Sequence, residues 1–268
     1  MSLFAVIRWT VDPQIFPDTI IPVRWYGLMF ALAFLMGYYI MRRFLDNEGK
    51  DVNLMDSLLA YVMVGTILGA RLGHVFFYDW GYYKNHLGEI LMVWKGGLAS
   101  HGAAIGVIAA IYFFSKYRLK MPTLWTLDRV VITIALGAFF VRIGNLFNHE
   151  IIGKATDLPW AFQFTKAYVP DPETPRHPAQ LYEALCYLGY FFLMFWMYWK
   201  TNLKNLQGFF FGLFLVLIFG TRFFVEFVKE NQVAFEDEMT LNMGQWLSIP
   251  AVAVGLWFMW QAYTKRKK

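Results

Sequence analysis

The residues whose types and spacing suit chemistry gather in one stretch, Phe140-Val141-Arg142-Ile143-Gly144-Asn145-Leu146-Phe147-Asn148-His149-Glu150-Ile151-Ile152-Gly153, at the end of a long apolar run. On a helix Arg142, Asn145 and His149 fall at i, i+3 and i+7 and share a face, with Asn148 and Glu150 to either side. An arginine at hydrocarbon depth costs roughly 3 kcal/mol on insertion scales, so it faces a partner or a wet cavity. A snorkelling arginine at an interfacial helix end is the plain alternative. A polar pocket opening at one membrane face is the sharper one.

A second pair, Arg222 and Glu226, stands at i, i+4 in another apolar run. It reads either as an intrahelical ion pair or, with Arg142, as two guanidinium groups suited to a phosphate. The negative partner of these arginines is Glu226, Glu150, Glu183 or a lipid phosphate. His101 lies in a glycine-rich segment and is a candidate proton carrier, or else a hydrogen-bonded packing histidine. Arg71 and His74 stand at i, i+3 near the far end of their own apolar run. Arg176-His177-Pro178-Ala179-Gln180-Leu181-Tyr182-Glu183 brings Gln180 and Glu183 into a first helical turn after Pro178, where they serve a site or only cap. Other chemistries are set aside. His149-Glu150 begins like a zinc-protease helix, but Gly153 stands where the second histidine belongs. There is no Gly-x-Ser-x-Gly, phosphate-binding loop or dinucleotide fingerprint.

The elements that must position these groups are membrane helices. Hydrophobic residues make up 58% of the 268, above the range of soluble domains. Apolar segments at about Trp25–Met41, Ser57–Tyr78, Gly97–Phe114, Leu127–Phe147, Gln180–Trp199, Gly208–Val228 and Gly244–Tyr263 predict an all-α bundle of seven spans in one membrane-embedded domain, residues 1–268. A short arm, 1–21, precedes them. A Pro-rich connection, 151–179, is too broken for a helix. The first span serves for targeting, since no cleavable signal peptide is evident. Cys186 alone makes no intrachain disulfide and is read as packing. The net charge of +5 is modest, and its clustering in short loops and the tail speaks for topology rather than nucleic acid. Arg42, Arg43 and Lys50, then Lys116, Arg118 and Lys120, then Lys200 and Lys204, then Lys265-Arg266-Lys267-Lys268 lie on one side. That side is cytoplasmic by the positive-inside rule. The N-terminus, the Pro-rich connection and an acidic loop with Glu236, Asp237 and Glu238 then face outward. Arg142, Arg71, His74 and His101 converge at the outward depth.

The motifs resemble one family. Arg142 to Gly153, Trp25-Tyr26-Gly27, Gly69-Ala70-Arg71-Leu72-Gly73, His101-Gly102, Arg176 to Glu183, Arg222 with Glu226, and Gly244-Gln245-Trp246-Leu247-Ser248-Ile249-Pro250 are similar to the signatures of bacterial phosphatidylglycerol–prolipoprotein diacylglyceryl transferases, in the family's order and across most of the chain. The resemblance implies transfer of the diacylglyceryl group of phosphatidylglycerol to the lipobox cysteine of a prolipoprotein signal peptide. A thioether forms and glycerol phosphate leaves. It also implies a seven-span bundle in the bacterial plasma membrane, working near the outer leaflet as a monomer, with no cofactor or metal. Carried over by motif, Arg142 holds the phosphate, and Asn145, Glu150 and Gly153 shape the pocket. Arg222 acts on the phosphate or leaving group and Glu226 orients it. His101 is the candidate base. Tyr26, Gln180, Tyr182 and Arg71 complete the substrate-binding set. On this reading Arg142→Ala abolishes transfer while folding is retained.

Departures stand out, among them the unusual segment Lys229-Glu230-Asn231-Gln232 after Glu226. Ala103 follows His101-Gly102 where the family often has a second glycine, and Phe219 precedes Gly220 where it usually has tyrosine. The Pro-rich connection is short for a full periplasmic head domain. A transporter of an anionic solute would use the same arginines but favour a repeated span pattern, which is not evident. A lipid-binding scaffold would not need His101.

Overall fold

The computed structural model describes residues 6–17, 23–231, 236 and 239–266. Pro22, Gln232, Asp237, Glu238, Lys267 and Lys268 lie outside the described residues. The fold is mostly helical. Its elements are β1 (Ile7–Trp9), α1 (Trp25–Asn47), α2 (Leu54–Phe77), a single turn α3 (Trp80–Tyr83), α4 (Ser100–Phe114), α5 (Thr123–Phe147), β2 (Phe162–Phe164), α6 (Ala179–Lys200), α7 (Phe209–Val225) and α8 (Met243–Arg266). Among the described residues, six helical segments are long and apolar enough to cross a membrane: α1, α2, His101–Leu119, α5, α6 and Phe209–Val228. Seven spans were expected. α8 has the length at 24 residues, but it carries Gln245, Ser248 and an internal Pro250 and is not among the six. The outer helix faces carry side chains such as Ile105 and Phe192, as hydrocarbon requires.

The chain forms two compact units, Met1–Tyr39 with Asp128–Lys268, and Ile40–Leu127. The divisions fall within α1 and within α5.

In the unit of Ile40–Leu127, α2 and α4 meet backbone to backbone. A Cβ on Gly65 would lie 2.6 Å from the Gly106 carbonyl oxygen, and one on Gly73 would lie 2.6 Å from Gly102 Cα. Only glycine permits that approach, the small-residue device by which helices associate in lipid. Between these helices the chain runs through a loop whose Leu87, Leu91 and Trp94 are exposed.

In the other unit α1 lies antiparallel on α5. Tyr26 meets Gly144, Ala33 meets Gly137, and Gly37 meets Thr133. α7 and α8 touch through Gly212 and Gly255, where an added Cβ would lie 2.5 Å and 2.6 Å, respectively, from the opposing carbonyl oxygen. The N-terminus of α7 is held by a distant residue. Asp128, 1% exposed on α5, accepts from the amides of Gly208 at 2.7 Å and Phe211 at 2.9 Å. Those are amides that a helix start leaves without partners.

The Pro-rich connection is ordered rather than a loose linker. β2 pairs in parallel with β1, Arg8 opposite Gln163, a small sheet that the all-α expectation did not include. Leu146, Ile152, Phe162 and Phe164 form its core, with Trp9 and Leu181 packed against them. Trp9 Nε1 donates to the Leu146 carbonyl at 3.0 Å, which ties the N-terminal arm to the end of α5.

Candidate functional site

Two clusters of buried charge lie in the larger unit. The first is built on Arg142, late in α5. Its Nε lies 2.7 Å from Glu183 Oε2, with Glu183 1% exposed at its side chain on α6. Arg142 Nη1 donates to Asn145 Oδ1 at 3.1 Å, one turn along the same helix. Asn145 Nδ2 in turn donates to Glu150 Oε1 at 2.9 Å, and Asn148 Nδ2 reaches the same oxygen at 3.1 Å. Tyr187 donates to Glu183 Oε1 at 3.1 Å. Gln180, fully buried, donates to the Glu150 carbonyl at 2.6 Å. Tyr26 packs on Gly144, with its hydroxyl in electrostatic reach of Glu150 and Arg142. Among the candidate partners for Arg142, the structure selects Glu183. Tyr187 is a member that the motifs did not point to.

Glu150 is exposed and borders a polar cleft of about 310 Å³ lined by Asp12, Pro13, Gln14, Arg24, Asn148 and Glu150. The charged and amide groups of this cleft, Arg24, Asn148, Asp12 and Glu150, can hydrogen-bond a hydroxylated headgroup.

The expected face of Arg142, Asn145 and His149 does not survive. α5 ends at Phe147, and His149 sits beyond it with a left-handed φ of 56°. Its Nε2 donates to the Val11 carbonyl at 2.8 Å and its Nδ1 accepts from the Lys166 amide at 3.4 Å. This pattern fixes a neutral ring, and burial lowers its pKa from 6.5. His149 therefore fastens the arm to the Pro-rich connection. Ile151 also has a positive φ, 59°, uncommon for a β-branched residue, so this loop is held under strain.

The second cluster is built on Glu226, just past the end of α7. Lys229 Nζ lies 2.7 Å from Glu226 Oε1, Asn242 Nδ2 donates to Oε2 at 3.0 Å, and Arg222 Nε stands 3.5 Å from Oε1. The i, i+4 pair is present, but Lys229 is the closer cation. The sequence marked it only as part of an unusual segment after Glu226, with no role assigned. Gly153 joins the two clusters through backbone. Its amide donates to the His177 carbonyl at 2.9 Å, and it bridges Lys229 in antiparallel register. A Cβ at Gly153 would lie 2.5 Å from His177 Cβ, so only glycine fits there. Tyr182 faces the connection, accepting from Trp160 Nε1 at 2.9 Å and lying 3.2 Å from His177 Nδ1.

In the unit of Ile40–Leu127, Arg71 is fully buried on α2. It donates to the carbonyls of Ile90 at 2.7 Å, Glu89 at 2.8 Å and Gly96 at 2.6 Å, and lies over the Tyr83 ring. The guanidinium thus organises the loop after α3 with its own hydrogen bonds. His101 is exposed at the start of α4, with its ring 5.4 Å from Tyr78 and 5.8 Å from Phe77. Among the described residues, no group of three or more histidine, cysteine or acidic side chains could hold a metal ion.

Helices of membrane-crossing length that gather ion-paired carboxylates at their ends define a multi-pass membrane protein. Comparison with known proteins makes this specific. The profile of the prolipoprotein diacylglyceryl transferase family matches residues 13–261, and this chain belongs to that family. A phosphatidylglycerol–prolipoprotein diacylglyceryl transferase of Chloroherpeton thalassium is 42% identical over 98% of this chain and 96% of its own length. Those of Porphyromonas gingivalis and Tolumonas auensis are each 43% identical, over 98% and 95% of this chain. The resemblance read from the motifs is borne out.

Proposed function

We propose that this chain transfers the diacylglyceryl group of phosphatidylglycerol to the lipobox cysteine of prolipoproteins, the first step of bacterial lipoprotein maturation. The observation that carries the reading is the Arg142 network, found in a chain with near-full-length relatives of that name. The peptide thiolate attacks the carbon of the diacylglyceryl moiety that bears the phosphate ester. A carbon–sulfur bond forms, the carbon–oxygen bond breaks, and glycerol 1-phosphate leaves with the electron pair. Thiolate is the reactive form, and cationic donors stabilise charge developing on the leaving phosphate.

Arg142 and Arg222 are the proposed phosphate ligands. Asn145, Glu150, Gly153, Tyr26 and Gln180 are proposed to shape the pocket, with Tyr182 holding its edge through the connection. The Asn145–Glu150 bond supports that assignment, as does the Gln180 bond to the Glu150 backbone. His101 is the proposed proton acceptor, on the family resemblance. Arg71 is proposed to act indirectly, through the loop it organises. α8 is proposed as a seventh span of a single transferase domain, residues 1–268, working as a monomer in the plasma membrane. The C-terminus is cytoplasmic and the N-terminus and connection 151–179 face outward, as the basic clusters suggest.

The test uses purified protein in detergent containing phosphatidylglycerol, with a lipobox peptide and its Cys→Ala control. Glycerol phosphate release that requires the peptide cysteine is expected. Release without the cysteine would make the chain a lipid hydrolase, and no release would overturn the reading.

A further inference from the structure

We propose that Lys229 is a positioning residue. It neutralises Glu226 and so leaves the charge of Arg222 available to the phosphate of an anionic lipid. The inference rests on the reading of Arg222 as a phosphate ligand.

Among the described residues, two cations, Arg222 and Lys229, are ion-paired to the Glu226 carboxylate, so this group of three carries one surplus positive charge. Geometry decides where that surplus lies. Lys229 Nζ is 2.7 Å from Glu226 Oε1, and its side chain is 6% exposed. Arg222 Nε is 3.5 Å from the same oxygen, and its side chain is 36% exposed. The other carboxylate oxygen is occupied by Asn242 Nδ2 at 3.0 Å. The lysine therefore takes the carboxylate, and the arginine presents its charge outward.

Lys229 is held in place from both sides along the chain. The Lys154 amide donates to the Val228 carbonyl at 2.9 Å, and the Glu230 amide donates to the Ile152 carbonyl at 3.1 Å. Gly244 packs so closely on Glu226 that a Cβ there would lie 2.5 Å from Oε1. The carboxylate is thereby kept from turning away. A buried ammonium without a counter-ion is strongly unfavourable, which keeps Lys229 on Glu226. If the lysine charge is removed, Glu226 has Arg222 as its remaining cation in this cluster. The pair closes, and no surplus charge faces the lipid.

A merely structural lysine would give loss of stability without a specific loss of phosphatidylglycerol binding. The experiment measures binding of phosphatidylglycerol, against a phosphatidylcholine control, to purified full-length protein in detergent, alongside transfer kinetics and thermal midpoints. The variants are Lys229→Met, Lys229→Arg and Lys229→Met with Glu226→Gln. Lys229→Met is expected to weaken phosphatidylglycerol binding and raise its KM roughly tenfold or more, the scale of a charge-assisted hydrogen bond. Lys229→Arg keeps the charge and stays near wild type. The double variant restores the surplus charge and binds phosphatidylglycerol better than Lys229→Met. Unchanged binding in Lys229→Met, or a double variant no better than the single one, would overturn the proposal. Wild-type protein that binds the lipid but does not transfer would refute the transferase reading alone, because the lipid titration still decides the role of Lys229.

Discussion

Arg142 and Glu183 form the tightest arginine–carboxylate contact of the first cluster, at 2.7 Å, and Glu183 has almost no exposure. That geometry changes the expectation for Arg142→Ala. Truncation strips a buried carboxylate of its counter-ion, which costs about 3–5 kcal/mol. Arg142→Ala should therefore lose stability as well as transfer. Adding Glu183→Gln should recover much of the thermal midpoint and none of the activity. A single variant as stable as wild type would contradict the buried pair. The sequence marked Arg142, Asn145 and Glu150 because polar groups at the end of an apolar run are conspicuous. It left Glu183 as one of several partners, because spacing within one helix cannot select a contact on another. It marked Lys229-Glu230-Asn231-Gln232 as an unusual segment after Glu226 but gave Lys229 no role, because spacing does not show which cation reaches a carboxylate.

His149 shows the same limit and carries a prediction of its own. Periodicity placed it on the Arg142 face, but the helix had already ended and the ring turned to the N-terminal arm. Burial lowers its pKa below 6.5, so the unfolded chain binds the proton more readily than the folded one. The contribution of His149 is then fully present above about pH 6.5 and is lost as pH falls through the lowered folded value. The protection factors of the β1 amides, that is exchange corrected for its intrinsic pH dependence, should fall on acidification in wild type. In His149→Gln that added pH dependence should vanish. An arm whose exchange is equally pH-dependent in both proteins would contradict the assignment.

At the scale of elements, hydrophobic runs gave the helices to within a few residues, since length and apolarity are local properties. α1 and α2 run on beyond the apolar stretches, into Arg42–Asn47 and back to Leu54. The β1–β2 sheet was not legible, because its strands are three residues each and pair across more than 150 positions. The glycines of Gly69-Ala70-Arg71-Leu72-Gly73 were read as a motif. The structure gives them a packing reason as well, the seam against Gly102 and Gly106. Gly65→Leu would drive a side chain into the Gly106 carbonyl and separate α2 from α4. Overpacking of this kind costs roughly 1–3 kcal/mol or more where backbone must move. The detergent-solubilised variant should lose several degrees in thermal midpoint, while Gly27→Ala, with open space around it, should not. Equal midpoints would contradict the close seam.

At the scale of the whole molecule, the buried acids Asp128, Glu183 and Glu226 each have cations or amide donors around them. Arg222, 36% exposed at its side chain, is the arginine proposed to meet the lipid phosphate. The family and the class of reaction were legible in the sequence because the motifs span the chain in order. The measurement that tests the central claim most directly is the mass of a lipobox peptide after incubation with phosphatidylglycerol and either wild-type protein or the Arg142→Ala/Glu183→Gln double variant. The account predicts that the peptide gains one diacylglyceryl group on its cysteine sulfur with wild type and stays unmodified with the variant. An unmodified peptide with wild type, or equal modification by both proteins, would contradict it.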